Sequence, residues 1–254
     1  MNRPRLFIKT LLLTALVACL FSVSFGAGNQ AYAQQSETQA LYDTAKRHYE
    51  AGAYRNALDT IEELLKSDSD YAPAFLLKSK ALVGLFVKTP PPPFNEINSP
   101  DARRERKIRQ ATLLKEAADS LERFLQLKPD VEGAEGLRER LGSLRVYAEP
   151  ATKAEEEWTV ISPADATEKA HITRRPEPRY TEEARADRLS GTVKLLIVLA
   201  ADAMVKHILV LRSSHPLLSE SAIEAARKIR FEPAIKDGRP VSTSASVEYN
   251  FLTY

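Results

Sequence analysis

Residues 241–251 read VSTSASVEYNF and alternate between two kinds of side chain. Odd-numbered positions are apolar or threonine, and even-numbered positions are polar. Because successive side chains of a β-strand point to opposite faces of the sheet, this pattern predicts a half-buried strand. The residues that we expect to pack inward are Val241, Ala245, Val247, Tyr249 and Phe251. We expect the even positions, from Ser242 to Asn250, to face solvent.

Earlier elements supply partners for that strand. The β-rich runs TVKLLIVLA (192–200) and AMVKHILVL (203–211) are joined by a short turn, which predicts a hairpin. The stretch HPLLSESAIEAARKI (215–229) predicts a helix that begins at Pro216, with Ser219 as a candidate cap. Its predicted buried face consists of Leu218, Ala222, Ala226 and Ile229. Together these elements predict a small antiparallel sheet with helices on one face.

Over its last third the sequence resembles the TonB C-terminal domain family. The landmarks that carry the resemblance, in order, are Pro178, Tyr180, Ala184, Gly191-Thr192-Val193, Val205, Ser213-Ser214, Leu218, Ala222, Ala225-Ala226, Phe231 to Ala234, Gly238 to Val241 and the final strand. The resemblance implies a three-stranded antiparallel sheet with helices on one face within residues 171–254. The family often has glycine in the hairpin turn, where this chain has Asp202-Ala203, which points to a turn of a different type.

The resemblance also implies that the last strand lies at the edge of the sheet. An edge strand has unpaired N–H and C=O groups that can accept an extended segment of another protein. The candidate partner-binding residues are Ser242, Thr243, Ser244, Ala245, Ser246, Val247 and Glu248, together with Arg179 and Tyr180. In the alternative interpretation the strand only completes the sheet, with its edge protected by Glu248 and by homodimer pairing.

Residues 36–148 are rich in Ala, Leu, Glu, Lys and Arg with helical spacing, so the whole chain is predicted to be α+β. The spacing of Ala45, Gly52, Tyr54, Ala57, Ile61 and Leu64 resembles a tetratricopeptide repeat. A second unit is predicted to be split by a Pro-rich inserted loop at 88–101, which contains four successive prolines. Residues 149–170 are polar and acidic and read as a linker to the 171–254 domain.

The first 33 residues have the order of a secretory signal peptide. Basic residues precede an apolar run, and AYAQ provides a small-residue cleavage site after Ala33. We therefore expect export to the periplasm. In the alternative, Leu16 to Cys19 resembles a lipobox and Cys19 carries a lipid anchor. Without Arg3, Arg5 and Lys9 the chain has 33 Lys+Arg against 34 Asp+Glu, and this near-neutral balance gives no electrostatic case for nucleic acid.

The sequence shows no arrangement typical of catalysis. The four histidines lack metal-ligand spacing, and neither a nucleophile elbow nor a Gly-rich phosphate loop occurs. We therefore predict a non-enzymatic envelope adaptor without cofactors, whose protein partners include outer-membrane transporters as the resemblance suggests. A self-associating structural or cell-wall attachment protein is the second hypothesis. The third hypothesis is an enzyme with a site between domains. We rank it last because the sequence shows no convergent set of catalytic residues.

Overall fold

A computed structural model describes residues 34–89, 99–149 and 160–252 of the chain. The predicted signal peptide with Cys19, most of the Pro-rich loop and the first half of the predicted linker lie outside these residues. The boundary between two compact units falls inside the third helix, between Ala74 and Phe75. Each unit is described by itself.

The described part of the first unit is a pair of helices, α1 (34–50) and α2 (Tyr54–Ser67). The small residues Ala45 and Ala57 are fully buried, as are Ile61 and Leu64 of the predicted apolar stripe. Gly52 lies in the intervening turn with a φ of 70°, a conformation that glycine adopts without steric cost. These positions have the environments that the repeat pattern predicts, and the assignment as a tetratricopeptide repeat stays a prediction.

Three more helices follow, namely α3 (Ala72–Lys88), α4 (Pro100–Leu127) and α5 (Ala134–Ala148). The basic run after the Pro-rich loop is part of α4, which begins with Ser99 as its cap: the Ser99 hydroxyl oxygen accepts a hydrogen bond from the backbone N–H of Ala102 at 3.4 Å. Helices α4 and α5 pack together, with Leu121 and Leu144 fully buried. An exposed ion pair of 2.7 Å between Arg145 and Glu122 also joins the two helices.

Residues 160–252 contain seven strands and two helices. The strands are β1 (Val160–Ile161), β2 (His171–Arg174), β3 (Gly191–Leu199), β4 (Val205–Ser213), β5 (Arg230–Glu232), β6 (Ala234–Lys236) and β7 (Arg239–Phe251). The helices are α6 (Glu182–Ala186) and α7 (Pro216–Arg227). The main sheet has the order β1-β7-β3-β4, with β6 paired to β7 as well, while β2 and β5 form a separate pair. The α+β class is confirmed, and β7, β3 and β4 form the predicted antiparallel trio.

The structure corrects the extent of the predicted linker. Val160 and Ile161 form β1, which pairs with β7 in the parallel direction. Farther along, the backbones of Glu168 and Ile235 exchange hydrogen bonds of 3.0 and 2.9 Å. Residues 160–170 therefore belong to the C-terminal fold, because β7 and Ile235 of β6 pair with main-chain groups at both ends of this segment.

One face of the main sheet packs against α7 as predicted. The cluster includes Val193 and Leu195 of β3 together with Val247 of β7. The predicted helical face is buried at all four positions, which are Leu218, Ala222, Ala226 and Ile229. The predicted cap is wrong, because His215 and not Ser219 precedes the first turn. Its Nδ1 accepts a hydrogen bond of 3.3 Å from the backbone N–H of Leu217.

The other face of the sheet also receives a helix near β4, because α5 packs against that strand. Leu209 of β4 is fully buried and lies opposite Leu196 of β3, on the face that points away from the α7 cluster. Helix α5 is thus part of the same packed structure as β4.

A candidate protein-binding edge on the last strand

Strand β7 has one fully paired side and one partly open side. Nine consecutive residues of β3, from Gly191 to Leu199, pair with Phe251 to Thr243 without a register shift. On the other side β1 pairs with Ser242 and Thr243 alone. Within residues 160–252 no strand pairs with that side from Ser244 to Phe251. This segment, which we call the open edge, is a regular strand with main-chain groups available to a partner.

The side chains of the open edge alternate as the sequence predicts. Val247, Tyr249 and Phe251 are buried in the α7 cluster. Ser246 and Glu248 are exposed on the opposite face. A partner strand added here would therefore continue an apolar surface on one side and a polar surface on the other.

Two of the predicted partner-binding residues, Ser242 and Thr243, already pair with another strand of the same chain. Ser242 was expected to face solvent, but it is 7% exposed and its hydroxyl oxygen accepts a hydrogen bond of 3.1 Å from the backbone N–H of Ala201. Thr243 is 2% exposed. Since β1 covers the edge of both residues, the edge that is open to a partner begins at Ser244. A two-residue strand drawn from a polar segment gave no periodic signal, so the sequence did not reveal this pairing.

The opposite edge of the sheet is irregular. Two register shifts interrupt the pairing of β4 with β3, and His207 adopts a φ of 47° beside one of them. The carbonyl oxygen of His207 accepts a hydrogen bond of 2.9 Å from the phenol hydroxyl of Tyr147 in α5. Bulges and covering helices are devices that block edge-to-edge pairing. The two edges therefore differ, and the open edge of β7 is the regular one.

The electrostatics around Tyr147 and His207 follow from burial. Burial raises the pKa of the Tyr147 phenol above its ordinary value, so this hydroxyl stays protonated and continues to donate. Burial lowers the pKa of the His207 imidazole, and the charge of Lys206 lowers it further. The sequence analysis did not predict the hydrogen bond between Tyr147 and His207, because the two residues lie 60 positions apart.

Arg179 and Tyr180, the two candidates upstream of the strand, have different environments. The ring of Tyr180 packs against that of Phe251, with 5.9 Å between the centroids. Arg179 is exposed. A residue that the sequence did not single out, Arg175, places its guanidinium 5.4 Å from the centroid of the Tyr249 ring, a cation–π distance. The segment before α6 thus contacts the inward side chains at the end of β7.

The tyrosine of β7 is buried among these groups. Burial is the largest cause of a raised pKa at Tyr249; Arg175 opposes the shift and Glu177 adds to it. The hydroxyl oxygens of Tyr249 and Tyr180 are both buried without a hydrogen-bond partner among the described residues. Their contribution is packing, since no polar contact uses them.

Within residues 34–89, 99–149 and 160–252 no three His, Cys, Asp or Glu side chains come together as a metal site would require. In the same ranges no helix has the length and apolar composition to cross a bilayer.

The open edge lies in a part of the chain that matches a known protein family. The sequence matches the family described as the Gram-negative bacterial TonB protein C-terminal over residues 176–252. Residues 176–252 are therefore similar to a TonB C-terminal domain. The domain contains the whole of the open edge and the hairpin that pairs with it. The resemblance predicted from the sequence is thereby confirmed for this part of the chain.

A solved structure also matches the chain. It is the solution NMR structure of the Pseudomonas aeruginosa TonB C-terminal domain, with 28% sequence identity. The match covers 33% of this chain and 86% of that one, with a TM-score of 0.30. A search among curated proteins finds no match. The family match supports a TonB-like protein of the cell envelope with a role in protein interaction.

Proposed function

We propose that this protein is a non-enzymatic adaptor of the periplasm that binds other envelope proteins by strand addition at the open edge, Ser244 to Phe251. Outer-membrane transporters are the class of partner to which the TonB C-terminal domain points. In this proposal the partner contributes an extended segment whose main chain pairs with β7. No catalytic role is assigned to any residue.

One observation carries the proposal: the two edges of the sheet are not equivalent. The edge of β4 is bulged, and Tyr147 occupies one of its carbonyl groups. The open edge of β7 continues a ladder without a register shift. A regular strand with unpaired main-chain groups is what strand addition requires, and proteins usually protect such an edge unless it is used.

The same observation supports a second candidate function, because a second copy of this chain has the same edge to offer. Pairing of two open edges would make the protein a self-associating structural component of the envelope. The exposed carboxylate of Glu248 disfavours this arrangement where two copies would bring like charges close together.

Photocrosslinking in cells separates these possibilities. A photoreactive benzoylphenylalanine replaces Ser246, which is exposed on β7. Matched controls carry it at Arg212, which is exposed on β4, and at Lys228, which follows α7. The adaptor proposal predicts an adduct with a different envelope protein, identified by mass spectrometry, at Ser246 alone. An adduct of twice the chain mass would favour self-association, and no adduct, or equal adducts at all three positions, would refute strand addition.

We also propose that the chain reaches the periplasm after cleavage following Ala33, with a lipid anchor at Cys19 as the alternative. Mass spectrometry of the protein purified from cell envelopes distinguishes the two. A chain that begins at Gln34 supports cleavage, whereas a lipid-modified chain that begins at Cys19 supports the anchor.

A further inference from the structure

The open edge is bounded by a strand of the same chain. Strand β1 lies on the side of β7 that a partner would use, and it takes up Ser242 and Thr243. Beyond Ile161 the chain leaves the edge in a turn, in which the backbone N–H of Asp165 donates to the carbonyl oxygen of Ser162 at 2.8 Å. The edge that remains runs from Ser244 to Phe251.

Strand β1 is tethered from its C-terminal side. The backbone N–H of Thr167 donates a hydrogen bond of 2.8 Å to the carbonyl oxygen of Ile235 in β6. The hydroxyl oxygen of Thr167 accepts a hydrogen bond of 3.3 Å from the backbone N–H of Asp237. These contacts keep β1 beside β7 and give it a high effective concentration there.

The described pairing between β1 and β7 is nevertheless short. Within residues 160–252 the strand has two residues, Val160 and Ile161, and both are only partly buried. It also lies outside residues 176–252, which match the TonB C-terminal family. A strand that is held in place but weakly paired is suited to exchange with another strand.

We propose that β1 is a built-in competitor for the partner strand. It limits the partner to the open edge, and a longer partner strand binds by displacing β1 from Ser242 and Thr243. The inference rests on the proposed function and adds the length of the partner site. The open edge from Ser244 to Phe251 holds an extended segment of roughly 26 Å at ~3.3 Å per residue.

The test compares two double variants in the chain that carries the photoreactive residue at Ser246. In V160P/I161P both backbone N–H groups of β1 are lost, so its pairing with β7 is broken. In V160A/I161A the same side chains are shortened but both N–H groups remain. Hydrogen exchange on the purified variants reports the pairing directly, and amides of Gly191 to Leu199 in β3 report whether the sheet is intact.

The expected results distinguish the inference from the proposed function. V160P/I161P should lose amide protection around Ser242 and Thr243, keep it in β3 and raise the yield of the Ser246 adduct about fivefold, the factor that corresponds to one net hydrogen bond. V160A/I161A should leave the yield close to that of the natural chain.

An unchanged adduct yield in V160P/I161P, despite lost amide protection on the β1 side of Ser242 and Thr243, would overturn the inference and leave strand addition intact. Unchanged amide protection around Ser242 and Thr243 would also overturn it, because β1 would then not be paired with β7. The absence of any adduct in all three chains would overturn both proposals.

Discussion

The hydroxyl of Tyr147 in α5 lies 2.9 Å from the backbone carbonyl oxygen of His207 in β4, and it donates a hydrogen bond to that atom. His207 is in the left-handed region with a φ of 47°, where few residues other than glycine are found. A helix that precedes residues 176–252, the part that matches the TonB C-terminal family, therefore supports the most irregular point of the β4 edge. The α5 helix and the domain should accordingly unfold together.

Replacement of Tyr147 by phenylalanine tests this contact. The variant Tyr147→Phe should lower the free energy of unfolding by ~1 kcal/mol, because the carbonyl group of His207 loses its donor at a partly buried site. Urea denaturation followed by circular dichroism measures the change. Tyr71→Phe is the matched control, because the hydroxyl of Tyr71 donates to Gln39 at an exposed site where water can replace it. Equal losses in the two variants would show that the contact at His207 adds no stability.

The phenol of Tyr147 should also make the stability of the chain depend on pH in the alkaline range. Burial raises the pKa of Tyr147 in the folded chain above the ordinary tyrosine value of 10.0, so the folded state holds a proton that the unfolded state releases. The contribution of this group is fully present below pH 10 and is lost as the pH rises above it. The free energy of unfolding of the natural chain should therefore fall more steeply above pH 10 than that of Tyr147→Phe. Parallel curves for the two proteins would contradict the assignment.

Sequence periodicity located the long elements of the C-terminal domain because each of them buries one face. The alternation in 241–251 and the helical spacing from Leu218 to Ile229 both reflect that burial. Strand β1 was not predicted, because a strand of two residues is too short to show an alternation of apolar and polar side chains. The limit of the binding edge at Ser244 depends on that strand, so it too was hidden from the sequence.

The β3–β4 turn shows why turn chemistry is a weaker guide. Asp202-Ala203 pointed to a turn of a different type from that of the family, but Ala203 adopts a φ of 62°. Its backbone N–H donates to the carbonyl oxygen of Ala200 at 3.0 Å. The pairing of the two strands imposes this conformation on a residue that does not favour it.

The strain at Ala203 should be removable. Ala203→Gly is expected to stabilise the chain by about 0.5–1 kcal/mol, because glycine accepts a positive φ without the steric cost of a Cβ. Ala201→Gly in the same turn is the control. It lies outside the set of residues with positive φ, and it should destabilise the chain by a similar amount through unfolded-state entropy. Thermal unfolding of both variants measures the difference, and a loss of stability in Ala203→Gly would refute the strain.

At Gly191, the first residue of β3, we expect a substitution to have the opposite effect on stability. It has a φ of 143°, and a Cβ placed there would lie 2.5 Å from the Cβ of Ser214. Gly191→Ala should therefore lower the free energy of unfolding by about 1–3 kcal/mol, the usual range for a strained backbone position. Gly142→Ala in α5 is the matched control, since apart from adjacent residues and its own helix backbone no atom lies within 4 Å of the added Cβ, and alanine favours a helix. Similar effects of the two substitutions would contradict the close approach of Gly191 and Ser214.

Hydrogen exchange along β7 tests the open edge without a partner. In an edge strand successive N–H groups point alternately toward the paired neighbour and away from it. From Ser244 to Phe251 we therefore expect amides bonded to β3 to exchange slowly and alternate amides to exchange fast, as resolved by nuclear magnetic resonance. The two-sided strand β3 is the internal control, because Leu195 and Leu196 pair with both β7 and β4 and their amides should both exchange slowly. Uniform protection from Ser244 to Phe251 that disappears on dilution would mean that a second copy covers the edge, and uniform protection at every concentration would mean that the edge is not open.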